Sequence, residues 1–112
     1  MSTQDVLTHH LGAFSEDVDS IMSDYVDKSV LFTPDGPLVG RETIRDFFHA
    51  FLTTSPDGLL QAMTVLRQDI HGEFAYIHWK ADPFIPFASD TFVIRGGKIL
   101  AHSFALFPPA AN

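Results

Sequence analysis

Asp90 and His102 flank Gly96-Gly97 in FASDTFVIRGGKILAHSFAL, a stretch otherwise built of Phe, Val, Ile, Leu and small residues apart from Arg95 and Lys98 beside the glycines. It reads as two β-strands apolar enough to be buried, joined at the glycines. Burial raises a carboxyl pKa and a neighbouring imidazolium lowers it, so an acid and an imidazole on one apolar lining form a tunable acid/base pair. Whether they share that lining depends on the turn. A three-residue loop of Arg95, Gly96 and Gly97 sets Asp90 opposite His102 and puts Phe92, Leu100, Phe104 and Leu106 on the same face. A two-residue Gly96-Gly97 turn sets Asp90 opposite Ser103 and sends His102 to the other side. The single consistent lining favours the three-residue loop, and the sequence leaves the register open.

The other histidines are less telling. His9 lies between Leu7 and Leu11, at the rim of a helix's buried face or in solvent beside His10. His49 falls on the polar side of a later helix, His71 in a turn, and His78 alternates with Tyr76 and Lys80. No two of the six sit at i, i+4 on a helix or i, i+2 on a strand, and there is no Cys, so neither a metal nor another cofactor is expected.

The elements that position these residues can be read in order. Ser2 and Asp5 resemble a capping box, and Val6, Leu7, Leu11 and Phe14 follow at helical spacing. Ser15 is expected to cap a second short helix, with Glu16 and Asp17 in its first turn and Val18, Ile21, Met22 and Tyr25 along one side. SVLFT is a strand ending near Thr33 at the turn PDGP. After Gly40, residues Ile44, Phe47, Phe48, Phe51 and Leu52 form the apolar face of a third helix. TTSPDG ends it, and strands follow over about 60–70, 73–82, 87–95 and 98–107. The order α-α-β-α-β-β-β-β predicts one α+β domain over residues 1–112, with three helices on one face of a mainly antiparallel sheet. Both sheet faces carry apolar residues, which calls for a second cover, and a homodimer through the outer face is the expected one.

Composition narrows the function. The 112 residues carry a formal charge of −7, with 14 acidic residues against 7 scattered basic ones, a field that repels phosphate backbones. A nucleic-acid partner is therefore not expected. MSTQDVLTHH lacks the pattern of an export signal and no apolar run reaches bilayer length, so a cytoplasmic protein without membrane contact is expected.

FSEDVDSIMSDYVDKSVLFTPDGPLVGRETIRDFFHAF, with SDTFVIRGGKILAHSFALF after it, resembles nuclear-transport-factor-2-like domains of the SnoaL-like and ketosteroid-isomerase-like kind. The resemblance runs from about residue 5 to 107. It implies a curved sheet wrapped on three helices around a conical apolar pocket, usually in a homodimer. Asp90 matches the Asp that serves these isomerases as a protonated donor and SnoaL-like cyclases as acid/base. An ungapped comparison puts His9 at the isomerases' second oxyanion donor, and imidazole can also donate. Thr33 stands where the isomerases carry their Asp base. A hydroxyl is far too weak for that task, which speaks against steroid-type isomerisation, although Asp35 lies two residues on.

The expectation is thus a pocket for a small hydrophobic molecule, with acid/base chemistry on a carbonyl-bearing or hydroxylated compound. Asp90, His102 and His9 would be catalytic. Phe14, Phe32, Thr33, Phe47, Phe51, Trp79, Phe92 and Phe104 would form the walls. The alternative is a non-catalytic binding or dimerisation module, which Thr33 in place of a carboxylate supports.

Overall fold

The computed structural model describes residues 1–107. Helix α1 (Thr3–Ala13) begins where expected: Ser2 Oγ accepts from the Asp5 backbone N–H at 3.0 Å, and the Asp5 carboxylate accepts from Ser2 N–H at 3.2 Å. Helix α2 (Val18–Met22) is capped by Asp17, which accepts from Ser20 N–H, and not by Ser15, whose hydroxyl donates instead to Gly12 O. Five residues suffice because Ile21 and Met22 are fully buried, so packing rather than propensity holds this helix.

Tyr25 does not continue α2. It opens strand β1 (Tyr25–Thr33), which is longer than SVLFT. The turn at Pro34-Asp35 returns the chain as strand β2 (Gly36–Val39), a strand the sequence reading lacks because Gly36 and Pro37 look like breakers. Pro37 is tolerated because β2 lies at the sheet edge. Helix α3 (Arg41–Thr54) buries Ile44 and Phe48, with Phe47, Phe51 and Leu52 packed around the core. A one-turn helix α4 (Leu59–Ala62) takes the start of the expected 60–70 strand, and β3 (Met63–His71) follows. Among the described residues there are therefore four helices, not three.

Strands β4 (Phe74–Ala81), β5 (Ile85–Arg95) and β6 (Lys98–Phe107) complete a curved, unclosed sheet of order β2-β1-β6-β5-β4-β3. It is mainly antiparallel, with β1 and β6 parallel. The architecture is α+β: the helices cover the inner face, where Ala75, Ile77, Trp79, Ala88, Phe92 and Ile99 are buried with Val6, Leu7 and Ile44. The outer face carries Phe32, Phe74 and Phe107, all exposed. No helix among the described residues is long and apolar enough to cross a membrane.

The β5–β6 hairpin settles the register differently from either expectation. Arg95 pairs with Lys98 across a two-residue turn, and Gly96 (φ 59°) and Gly97 (φ 75°) both take the left-handed conformation that such a turn requires. That turn alone would send His102 outward. However, Ile94 pairs with Ile99 and Val93 with Ala101, so Leu100 is an extra, bulged residue. The bulge restores the alternation by one residue. Asp90 then lies opposite Phe104 and Phe92 opposite His102, all directed inward. Asp90 and His102 are diagonal neighbours rather than a facing pair, and Ile99, not Leu100, is the buried residue near the turn.

Candidate functional site

Between α1, α3, α4 and the inner sheet face lies a cavity of about 550 Å³. Its walls are mostly apolar: Phe14, Phe47, Phe48, Phe51, Trp79, Phe92 and Phe104 line it together with aliphatic side chains such as Leu52 and Ile77. Asp90, His102 and His10 form the polar part of its floor, while Ser15, Glu16, Gln61 and Thr64 contribute polar groups elsewhere.

Alternation along β5 turns Ala88, Asp90, Phe92 and Ile94 inward, which places a carboxylate in mid-strand within the core. Asp90 is compensated on both oxygens. Oδ1 accepts from the Trp79 indole N–H at 2.7 Å, and Oδ2 lies 2.7 Å from His102 Nε2. The chain continues, because His102 Nδ1 is 2.9 Å from the Tyr25 hydroxyl. The tautomer follows from Asp90. Nε2 faces the Asp90 carboxylate, which can only accept, so Nε2 carries the hydrogen and Nδ1 accepts from the Tyr25 hydroxyl, whose pKa burial pushes well up. His102 thus donates to Asp90. The His102 ring stacks on Phe92 with centroids 4.2 Å apart, which fixes its plane.

A second polar group meets the first from α1. His10 is 1% exposed, and its ring is packed edge-on against Phe14, Phe92 and His102. Its Nδ1 lies 3.8 Å from Asp24 Oδ2, too far for a hydrogen bond, and has no partner among the described residues. Burial pushes the His10 pKa down, opposed by Asp24 and helped by His102. Asp24, itself buried, accepts from His9 Nδ1 at 2.8 and 2.9 Å.

Asp90, His102, Phe14, Phe47, Phe51, Trp79, Phe92 and Phe104 thus all line the same cavity. His9 does not: its side chain is 39% exposed and serves Asp24, while its neighbour His10 reaches the cavity. Thr33 lines a separate shallow hollow beside Pro34 and Asp35, and its hydroxyl donates to Gly36 O, tightening the β1–β2 turn. Phe32 alternates with the buried Leu31 and points to the outer face. His10, Asp24 and Tyr25 are the site residues that sequence reasoning missed. Their signal was present for one of them, since Val6, His10 and Phe14 recur every four residues along α1.

Compared by sequence, the chain matches no protein-family model and no curated protein. Compared by structure, it resembles a SnoaL-like protein of unknown function from Burkholderia thailandensis, with a TM-score of 0.79, 17% identity and 94% of each chain covered. An NTF-2 like protein of unknown function from Burkholderia xenovorans aligns at a TM-score of 0.78 and 16% identity, over 98% of this chain and 86% of the other. An uncharacterised cystatin fold protein from Novosphingobium aromaticivorans gives 0.72 and 17%, over 94% and 98%. At such identities the likeness is one of architecture. The chain has the fold of nuclear-transport-factor-2-like and SnoaL-like proteins.

Proposed function

We propose that the cavity binds a small, mainly apolar molecule and that Asp90, held by His102 and Trp79, performs acid/base chemistry on it. The observation that carries this reading is the position of the carboxylate: buried, inward and on the lining of a mainly apolar cavity. The hydrogen bonds to Trp79 and His102 use one lone pair on each oxygen, so each retains another to receive a proton from the bound molecule. A carbonyl compound with an acidic neighbouring C–H is the substrate such a base suits. Asp90 would take the proton from carbon and return it to the same or an adjacent atom, while the apolar walls exclude water.

The same hydrogen bonds favour a second reading, a non-catalytic binding module. Trp79, Asp90, His102 and Tyr25 satisfy one another, as a structural network would, and Thr33 supplies no second carboxylate. Proton exchange separates the two. In D₂O the protein should speed deuterium incorporation beside the carbonyl of a small cyclic ketone such as 1-tetralone, and Asp90→Asn should reduce that rate by about 100-fold or more. A wild-type rate no greater than that of Asp90→Asn excludes the catalytic reading. The proposal extends to a homodimer through the outer sheet face, supported by the exposed Phe32, Phe74 and Phe107 there.

A further inference from the structure

We propose that His10 selects the ligand: its Nε2 accepts a hydrogen bond from a hydroxyl of the bound molecule, so that the cavity prefers a neutral, flat, hydroxylated aromatic compound. This rests on the reading that the cavity binds a small molecule, and it adds a hydroxyl to the features by which that molecule is recognised.

His10 is almost fully buried, and its Nδ1 has no hydrogen-bond partner among the described residues. Native proteins seldom leave a buried imidazole idle. The donors around it are all engaged: His9 with Asp24, Tyr25 with His102, and His102 and Trp79 with Asp90. What remains for His10 must come from the cavity that it lines.

The polarity of that contact follows from Asp24. Nδ1 is the ring nitrogen on the Asp24 side, 3.8 Å from a carboxylate oxygen. A neutral imidazole in that field carries its hydrogen on Nδ1, toward the negative charge. Nε2, the other ring nitrogen, then carries the lone pair. A carbonyl oxygen has nothing to offer that lone pair, whereas an O–H does.

Charge and shape restrict the ligand further. Among the described residues no Lys or Arg lines the cavity, while Asp90 and Glu16 do, and Asp24 stands behind His10. A carboxylate or phosphate would enter against these charges with no cation to receive it. Phe14 and Phe92 lie with ring centroids 5.2 and 5.4 Å from that of His10, so the molecule that reaches Nε2 does so among aromatic faces.

The test compares three ligands of one shape: 2-naphthol, 2-methoxynaphthalene and 2-naphthoate. Trp79 is the single Trp of the chain and lines the cavity, so its lone indole N–H signal in an NMR titration reports occupancy directly. The wild type should bind 2-naphthol at least about fivefold more tightly than 2-methoxynaphthalene, with 2-naphthoate weakest. In His10→Leu the ratio of the first two should fall to about one, with 2-methoxynaphthalene affinity retained. Should His10→Leu not fold, His10→Phe takes its place, and the preference for naphthol should vanish there too. Equal affinity for naphthol and its methyl ether, or a preference that survives in His10→Leu, overturns the role of His10 while leaving the cavity a binding site. Tightest binding of 2-naphthoate overturns it as well, because His10 would then be a charged donor. If none of the three moves the Trp79 signal, the binding reading and this inference fall together.

Discussion

His10 carries a consequence that can be measured without any ligand. Burial holds its folded pKa below the ordinary 6.5, so in the unfolded chain it takes up a proton at a pH where the folded protein still refuses one. The stability gained from keeping His10 neutral is fully present above about pH 6.5 and is lost progressively as pH falls toward the lowered folded value. Thermal unfolding followed from pH 8 to pH 5 should show this decline in the wild type and a shallower one in His10→Leu; parallel curves would mean that His10 does not titrate as its burial requires. At this scale the sequence was partly legible. Asp90 and His102 stood out because an acid and an imidazole are rare between Phe and Leu. His10 did not, because it looks no different from His9, and only the rotation of α1 decides which of the two enters the core. Tyr25 was hidden for a related reason: it falls in step with Val18, Ile21 and Met22, and that periodicity continues through the point where the helix stops.

The helix α3, with its Phe stripe, and the strand alternation of β4 could be read directly, because one burial face imposes one period. Strand β2 and helix α4 could not. The first carries turn residues within a strand, and LLQAMTVL is apolar enough to pass as one strand although its first half coils. The β5–β6 hairpin is the instructive case, since the site depends on two local features that cancel. A two-residue turn alone turns His102 outward, and the bulge at Leu100 turns it back. Sequence alternation sees the turn and cannot see the bulge. The turn is held by positive φ at both glycines, so Gly96→Val should cost about 1–2 kcal/mol in urea denaturation, whereas Gly96→Asn, which tolerates that conformation, should cost little. Equal losses for Val and Asn would show that the turn is not of this type.

Among the described residues, the sheet has one covered and one uncovered face. The inner face meets the helices, while on the outer face Phe32, Phe74 and Phe107 surround a centre of small residues, Ser89, Ala101, Ser103 and Ala105. That relief suits close approach of a second copy. Sedimentation should find a dimer, and Ser103→Arg, which puts a charge at that centre, should yield a folded monomer; an unchanged sedimentation coefficient in the variant would place any interface elsewhere. Whether dimer or monomer, the described elements surround the cavity that holds Asp90, and the most direct trial of its role is a side-chain ¹⁵N NMR titration with a neutral bicyclic ketone, observing every His ring and the Trp79 indole together. His102 and the Trp79 N–H, which share Asp90, should shift in concert and saturate, while His78, packed against Tyr76 on the outer face, stays still. Movement of His78 with His102 and Trp79 unchanged would contradict the placement of the site in the cavity.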